Sequence, residues 1–441
     1  MTNDERKELE THFWRYLWSS ILITLSGCLG NVVDGIIVGN LIGADGVSAI
    51  NYSKPVVQLM MTLSLLLAAG GSMLVGFALG KQDFVRMRYV YTHATISNFV
   101  VSLVFVLVGL VAPTATASLL CNDGHLLQPT LEYLRPMLYG APSYMMMWTI
   151  SLMIGVDGSP RLSSVAIVID NAVNLVLDLV FIQLLGWGLT GSSTATVVGH
   201  LVGITIMLLH YRRADNRLHF SFRHDAPEGR NIISQGTPLA LASVCLTLLL
   251  FSANSIVTGT MGRSGIFAFA VCMNLLQVYN LFLAGTCRTL QSLGAIQAGK
   301  GDNDAFRLVL RKSFRFITVA MIATCLLVWV DPQLIASLFG SGAYGYTDET
   351  VHALRIFSIS FIPFCYIYVL MIVYKLYGHH RMALFISLIL SLTVIPVLWL
   401  MSRMALDYFW YSYLIAYGIE AVVIVLVHKR WHLQFSFVQK K

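Results

Sequence analysis

The amino-acid sequence predicts an all-α integral membrane protein, with twelve transmembrane helices in two pseudo-symmetric six-helix lobes. Three observations lead to this fold class: a composition rich in apolar residues, twelve apolar segments of membrane-spanning length, and a repeat that relates the two halves of the chain.

The composition is that of a protein whose surface faces lipid. Of the 441 residues, 56% are hydrophobic and 12% are charged, and the mean hydropathy is +0.72. Soluble domains carry about 25% charged residues, so a water-facing globule is excluded. The formal charge of +7 does not indicate nucleic-acid binding, because the basic residues stand at the ends of apolar segments.

The sequence contains no enzyme or cofactor motif in the context that such a site requires; a GxGxxG match at 186–191 joins two membrane helices and follows no strand. The seven cysteines form no CxxC pair and the twelve histidines show no zinc-binding spacing. A GxxxxGK pattern at 294–300 is followed by Gly301 where a nucleotide site needs Ser or Thr. We therefore expect neither an enzyme nor a cofactor, so that any pumping would be driven by an ion gradient.

The membrane segments follow from length and hydropathy. About 20 mostly apolar residues are needed to cross a hydrocarbon layer roughly 30 Å thick, because a helix rises about 1.5 Å per residue. The predicted spans are 14–38, 55–79, 90–111, 137–156, 162–185, 189–209, 232–259, 266–298, 314–330, 356–374, 383–401 and 408–427.

The orientation follows from the distribution of Lys and Arg. With the N-terminus in the cytoplasm, most basic residues fall in the tails and the even-numbered loops. The exceptions are Lys54, Arg135, Arg263, Arg288, Arg355 and Arg403. We expect a multi-pass protein of the cell (inner or plasma) membrane with both termini in the cytoplasm. The charged N-terminal segment has no cleavage-type motif, so the first span is expected to be retained.

A repeat divides the chain in two. The segment from Asp34 to Gly39 aligns with Asn254 to Gly259, and the register continues with Gly80-Lys81 against Gly299-Lys300. The predicted domains are an N-terminal six-helix lobe at 1–210, a cytoplasmic inter-lobe loop at 211–230 and a C-terminal six-helix lobe at 231–441. Since each half has an even number of spans, an axis along the membrane normal would relate the lobes, with a cavity between them.

Small residues four apart predict close helix packing within each lobe. Such sets occur at Gly35, Gly39 and Gly43, at Gly76 and Gly80, and at Gly199 and Gly203.

Ionisable residues within spans are the candidates for chemistry. A buried Asp at the centre of a span costs roughly 2.5–3.5 kcal/mol on insertion scales, so it needs a partner or a function. Asp34 lies in span 1, and Asp170 and Asp178 lie in span 5. Asn174 stands four residues from each of the latter, so these three share one helical face.

Depth in the membrane groups some of these residues. Asp34 and Asp178 lie near the outer ends of two outward-running spans, and Thr196 lies near the start of an inward-running one. With Asn174 they place two carboxylates, an amide and a hydroxyl in the outer third of one lobe. Such oxygen ligands suit Na⁺, or a proton shared between Asp34 and Asp178. Helix-to-helix hydrogen bonding without transport is the alternative.

The second half repeats no carboxylate at the matching positions, which are Asn254 and the Ile395-Pro396 stretch. We therefore assign ion coupling to the first lobe. Arg288, in span 8, is the most deeply placed basic residue and, with Asp170, is a possible accessory polar group; snorkelling to the cytoplasm is the alternative for Arg288. Glu420, in span 12, could be functional or structural.

Several short segments resemble one transporter family in their order and spacing. They are Val33 to Gly39 with Ile42-Gly43-Ala44, Gly80-Lys81, Asn174 to Asp178, Gly188 to Gly191 with Ala195-Thr196, and Ile395-Pro396. In these segments the chain resembles the multidrug and toxic compound extrusion (MATE) transporters, in particular the bacterial multidrug-efflux branch, across all twelve spans.

The resemblance implies a two-lobed antiporter that exports organic, often cationic, compounds in exchange for H⁺ or Na⁺ by alternating access. It implies a cation site at Asp34, Asn174, Asp178 and Thr196, the residues grouped above by depth. This chain has Ser19 near the position where many members carry a proline in span 1, and it lacks the glutamate that some members carry in span 7. We expect a monomer in the bilayer whose partners are small-molecule substrates and the coupling ion, and which binds no nucleic acid.

A flippase for a lipid-linked oligosaccharide, from the same superfamily, is the alternative function. Such a protein would need a strongly basic central cavity and often has more than twelve spans. Only Arg288 is a good candidate for that cavity, which favours the exporter.

Overall fold

The computed structural model describes residues 2–121, 124–221, 228–260, 263–332, 348–404 and 406–431. This part of the chain is built from helices and contains no β-strand. The helices are α1 (Asn3–Leu41), α2 (Ala44–Gly80), α3 (Phe84–Val111), α4 (Pro113–Leu120), α5 (Gly124–Tyr139), α6 (Ala141–Val156), α7 (Pro160–Asp178), α8 (Gly188–Met207), α9 (Gly229–Thr260), α10 (Arg263–Thr289), α11 (Ala295–Lys300), α12 (Asn303–Val330), α13 (Asp348–Leu376), α14 (His380–Leu392), α15 (Val394–Met404) and α16 (Ser412–Arg430). Positions 222–227 of the predicted inter-lobe loop lie outside the described residues.

The chain forms two compact units. The N-terminal unit is Glu10–Gly236, and the C-terminal unit is Met1–Leu9 with Thr237–Lys441. Each unit contains one set of six predicted spans, so the predicted all-α fold with two six-helix lobes is confirmed. In the N-terminal unit α2 is the central helix and is buried along most of its length, whereas α1 is largely exposed on its outer face.

Within the described residues, eleven helices are long and apolar enough to cross a membrane, and α6 is a shorter apolar helix. Helix α6 is short because the helical segment bends at Gly140, which separates it from α5. The Gly140 amide still donates to Pro136 O at 2.8 Å, and Pro142 stands in the first turn of α6, where its missing amide hydrogen is tolerated. Predicted span 4, at 137–156, therefore joins the end of α5 to α6.

The sequence repeat reappears in the helix termini. The Asp83 side chain caps α3 by accepting from Arg86 N at 3.0 Å, and Asp302 caps α12 by accepting from Ala305 N at 3.0 Å. Each capping aspartate follows a residue in the left-handed backbone region, Gln82 with φ 60° and Gly301 with φ 72°. The two halves thus build the same turn, and the first half does so with a side chain where the second has glycine.

A second matched turn joins α6 to α7 and α13 to α14. Gly158 has φ 93° and Gly378 has φ 82°. The next residue donates its backbone N–H back to the preceding helix in both cases, Ser159 to Ile154 O at 2.9 Å and His379 to Tyr374 O at 2.8 Å. The two turns therefore provide positions that can be compared residue by residue.

Candidate cation site in the N-terminal unit

Two carboxyl groups meet between α1 and α7. Asp34 lies about two turns before the end of α1 at Leu41. Asp178 is the last α-helical residue of α7, and the chain continues from it as a π-helical segment, Leu179–Leu184. The Asp34 and Asp178 carboxyl groups lie close enough to interact with each other, and both line one cavity. Asp178 has no exposed surface. The structure thus brings together the two acids that the sequence places at similar depth.

Glycine on α1 allows the two helices to approach. A Cβ atom on Gly30, one turn before Asp34, would collide with Asn171 Oδ1 of α7. Asn171 is held in place because its Nδ2 donates to Ser26 Oγ at 3.1 Å and to Ile167 O at 2.8 Å. The absence of a side chain at Gly30 therefore determines how close Asp34 can come to α7.

A small cavity of about 200 Å³ lies along this contact and is lined by α1 and α7. Its polar lining consists of Ser26, Asp34, Asn171, Asn174 and Asp178. One water takes about 30 Å³ in the liquid, so the space admits a partly hydrated small cation.

Hydroxyl groups of α8 complete the polar surroundings. Ser192 Oγ donates to Asp34 Oδ1 at 3.3 Å. Asn174 Nδ2 donates to Thr196 Oγ1 at 3.2 Å, and Thr196 Oγ1 in turn donates to Ser192 O at 3.2 Å. Asp34, Asn174, Asp178 and Thr196 therefore lie in one neighbourhood, although the structure does not test their predicted role in binding a cation.

Two residues of this neighbourhood were missed by sequence reasoning. Ser192 is fully buried and reaches Asp34. Tyr133, on α5, is buried and lies close enough to Asp34 and Asp178 to interact electrostatically with both. Tyr133 precedes predicted span 4, so the span prediction places it outside the membrane.

The Asp34–Asp178 pair needs a proton or a cation to offset the repulsion between its two negative charges. No described side chain or backbone group donates a hydrogen bond to either carboxylate oxygen of Asp178. Two negative charges this close in a poorly solvated site repel each other strongly. The pair is therefore stable with a shared proton or with a bound cation, and unstable when both acids are charged and alone.

Asp170 lies outside this group. Both of its carboxylate oxygens lie 3.1 Å from His200 Nδ1 of α8, and its side chain is buried. The His200 ring packs against Tyr144 with centroids 5.4 Å apart. Asp170 and Asp178 are eight residues apart on one helix, which is about 12 Å along its axis. Asp170 thus belongs to a separate pair with His200, which the sequence did not predict.

Glycines of α8 make room for this pair. A Cβ atom on Gly199 would lie 2.7 Å from Asp170 Oδ1, and one on Gly203 would lie 2.7 Å from Met147 Cε. The predicted close packing is therefore present at these glycines. It is not present at Gly35, on an exposed face of α1, or at Gly43, in the turn before α2, because no described neighbour lies within 4 Å of the position of a Cβ at either residue.

We expect Gly199→Ala to destabilise the protein by about 1–3 kcal/mol, since the added methyl group would overlap Asp170 and the α7 backbone. The matched control is Gly27→Ala on α1, where no described heavy atom lies within 4 Å of the new methyl group. The thermal unfolding midpoint of each purified variant in detergent checks this. Equal midpoints for the two variants would contradict the packing described here.

The remaining candidates lie in the C-terminal unit. Arg288 is in the last turn of α10 and is half-buried. Glu420, on α16, is fully buried, and its Oε1 accepts a hydrogen bond from Thr393 Oγ1. Asn254 lies on α9, and Ile395-Pro396 lies in α15. Arg288 and Glu420 thus lie in the C-terminal unit, whereas the Asp34 neighbourhood described above lies in the N-terminal unit.

A sequence profile places the chain in a known class of membrane transport protein. The sequence profile described as MatE matches residues 20–180 and 238–400. The match covers most of both halves, and the chain belongs to the MatE family.

Curated relatives are distant in sequence but extend over much of the chain. The multidrug export protein MepA of Staphylococcus saprophyticus is 21% identical over 409 residues, which is 91% of this chain and 90% of that protein. MepA of Staphylococcus haemolyticus is 23% identical over 283 residues. This second alignment covers 63% of this chain, which spans 62% of that relative.

Solved structures share the fold. The crystal structure of MATE in the bent conformation has a TM-score of 0.86 at 18% identity and covers 97% of this chain and 96% of that one. An outward-facing multidrug resistance MATE transporter of the MOP superfamily has a TM-score of 0.84 at 18% identity, with 96% of each chain covered. At these identities the structural likeness shows the fold.

Proposed function

We propose that the protein is a secondary active antiporter that exports organic, often cationic, compounds in exchange for H⁺ or Na⁺ by alternating access. One observation carries the ion coupling: the contact between Asp34 and the buried Asp178, beside a small polar cavity. The relatives named as multidrug export proteins support the export of small molecules rather than the transfer of a lipid-linked oligosaccharide.

The acid pair provides a means of coupling. Binding a proton or Na⁺ removes the repulsion between the Asp34 and Asp178 carboxylates, so the loaded site favours a closer approach of α1 and α7 than the empty, doubly charged site does. A ligand can shift a conformational equilibrium only by its differential affinity for the two states. Here that difference comes from charge neutralisation within one unit.

The energy of an ion gradient is sufficient for useful export. One charge crossing 100 mV provides about 2.3 kcal/mol, and one pH unit adds about 1.4 kcal/mol. Together these support a substrate gradient of roughly several hundred-fold. We place the protein in the cell membrane with both termini in the cytoplasm, because the basic loops then follow the positive-inside rule. We also propose that it acts as a monomer.

Dye efflux from reconstituted vesicles tests this proposal. A pH gradient and a Na⁺ gradient are imposed separately on vesicles that contain the full chain and a fluorescent organic cation. We expect one of the two gradients to drive dye movement, and an ionophore that collapses this gradient to reduce the rate about 10-fold or more. Dye movement that is indifferent to both gradients would reject ion-coupled antiport.

A further inference from the structure

A buried lysine stands at the end of α13 in the C-terminal unit. Lys375 has no exposed surface, and no described group forms a hydrogen bond with its Nζ atom. Lysine is almost never fully buried without a partner, because removing an ammonium group from water is costly. The buried amine therefore indicates an anionic partner that the described part of the chain does not supply.

Three helix ends meet near this residue. Helix α13 ends at Leu376, α14 begins at His380 and α16 ends at Arg430. The end of α16 is held beside α13 because Tyr374 Oη and His428 Nδ1 lie 3.0 Å apart. Such a meeting of span termini marks the boundary between the membrane and water, on the side where the charge distribution predicts the cytoplasm.

A cavity of about 650 Å³ opens at these helix ends, and we call it the basic cavity. It is lined by Gly378, His379, His380, Arg381, Met382 and Trp431. Lys375 and His379 are both close enough to His380 to interact with it electrostatically. Among the described residues no acidic side chain lines the cavity, and no Asp or Glu occurs in the sequence from Lys375 to Met382 or from His428 to Lys441.

The matched turn of the N-terminal unit, between α6 and α7, supplies internal partners for the basic side chains beside it. In that turn Asp157 stands one residue before Gly158, and its Oδ2 lies 2.9 Å from His210 Nε2. Ser159 Oγ lies 2.8 Å from His210 Nδ1 and accepts from Arg213. His210 and Arg213, the basic residues beside that turn, thus have hydrogen-bond partners within the protein.

The turn in the C-terminal unit replaces both of these partners. Tyr377 stands where the first turn has Asp157, and His379 stands where it has Ser159, while Arg381 keeps the place of Arg161. The turn in the C-terminal unit therefore has no carboxylate in the place of Asp157, keeps the arginine, and adds Lys375 in the place of Gly155. Loss of the internal anion in one unit only is the difference expected if an external anion takes its place.

The surroundings favour a lipid over a free ion. Trp431 lines the basic cavity and packs on Phe385 with ring centroids 6.4 Å apart. Leu388 and Leu392 continue from Phe385 along α14, and both are exposed. A phosphate in the cavity would therefore sit directly above an apolar helix face that can hold acyl chains, with an aromatic residue at the interface.

We propose that the basic cavity binds the phosphate headgroup of an anionic phospholipid, with Arg381 in the cavity lining and the buried amine of Lys375 behind the lining supplying positive charge. Basic pockets at the cytoplasmic ends of membrane helices bind anionic headgroups by this chemistry. The lipid would tie the ends of α13, α14 and α16 together. This proposal does not depend on the transported substrate or on the coupling ion.

The test measures lipid-dependent stability of the purified full-length protein in detergent. Phosphatidylglycerol, phosphatidylcholine and inorganic phosphate are titrated separately, and the thermal midpoint is followed while native mass spectrometry counts bound lipid. We expect phosphatidylglycerol to raise the midpoint and phosphatidylcholine not to. In Lys375→Met/Arg381→Gln the half-saturating phosphatidylglycerol concentration should rise about 10-fold or more. The matched control, Arg161→Gln in the first turn, should titrate like the wild type.

Three results would overturn the proposal. An unchanged phosphatidylglycerol titration in the double variant would mean that the lipid acts elsewhere on the surface. Full protection by inorganic phosphate, with no further gain from the lipid, would indicate a phosphate site instead. The third result concerns the single variant Lys375→Met in lipid-free detergent. Its thermal unfolding midpoint should equal or exceed that of the wild type, because an unpaired buried charge is removed. A lower midpoint would show that the amine has a partner within the protein.

Discussion

Replacing Asp178 with asparagine should abolish gradient-driven dye efflux while leaving the amount of protein in the membrane unchanged. Asparagine has nearly the same shape, but it can neither carry the negative charge nor release a proton. Because Asp178 is fully buried and lies against Asp34, the substitution removes the charge change on which the proposed coupling depends. We expect the gradient-driven rate to fall about 100-fold or more, towards the rate of passive leakage. Dye efflux from reconstituted vesicles under an imposed gradient measures the effect.

The stability of this variant distinguishes a functional acid from a structural one. No described group donates to Asp178, so Asp178→Asn breaks no hydrogen bond to a donor and removes charge repulsion with Asp34. The thermal midpoint of Asp178→Asn should therefore equal or exceed that of the wild type. A buried acid with a purely structural role would show the opposite pattern, with lower stability and retained transport.

Two further variants complete this test. Asp34→Asn with Asp178→Asn should lose no more efflux than either single variant, because groups that act as one unit are not additive. Asp83→Asn is the matched control: the chemical change is the same, but Asp83 caps α3 outside the site, and asparagine caps helices equally well. Efflux of Asp178→Asn within about twofold of the wild type would rule out the proposed role.

The helix periodicity and the depth of each residue were sufficient to predict the central contact of the candidate site. Asn174 and Asp178 lie four residues apart on α7, so they had to share a face, and the orientation of the spans placed Asp34 at a similar depth. The structure brings all three residues to one cavity. These expectations needed only the geometry of a regular helix, which the membrane enforces because backbone groups must be satisfied internally.

Partners on other helices could not be predicted in this way. Ser192 reaches Asp34, whereas its neighbour Ser193 donates to Leu189 O of its own helix at 3.1 Å. A serine in a membrane helix can donate either to a side chain on another helix or to a backbone carbonyl of its own helix, and the sequence does not distinguish these two arrangements. Which of two adjacent hydroxyls faces a carboxylate depends on the rotation of α8 against α7, which is set by packing at Gly199 and Gly203.

Local departures from the regular helix also left no clear signal. Helix α7 changes to π-helical geometry directly after Asp178, and α10 does so after Thr289. Neither segment contains proline or a glycine pair at the point of change. Single π turns within α-helices occur often at functional sites, which agrees with the position of the first one beside the candidate cation site.

The same limit explains Asp170. Spacing grouped it with Asn174 and Asp178, but spacing fixes only the face of a helix and not the partner. The structure places the Asp170 carboxylate against His200, on a different helix.

Removing the imidazole from the Asp170–His200 pair should strongly destabilise the protein. His200→Leu leaves the buried Asp170 carboxylate without its described partner, and an uncompensated buried carboxylate costs about 3–5 kcal/mol. For a unit of this size we expect the thermal midpoint to fall by roughly 10 °C. Adding Asp170→Asn to His200→Leu should recover most of this loss, because the unpaired charge is then gone. Thermal unfolding of the wild type, both single variants and the double variant gives the coupling energy.

Transport by the double variant decides whether the pair does more than hold α7 against α8. Asp170 lies about two helical turns from Asp178, so a purely structural pair predicts that a stable His200→Leu/Asp170→Asn protein exports dye within a few-fold of the wild type. Loss of efflux with recovered stability would instead place Asp170 and His200 on the path of the coupling ion. If adding Asp170→Asn does not restore stability, His200 supports the fold through its packing on Tyr144 rather than through the carboxylate. The ring contact with Tyr144 is lost in His200→Leu and in the double variant alike.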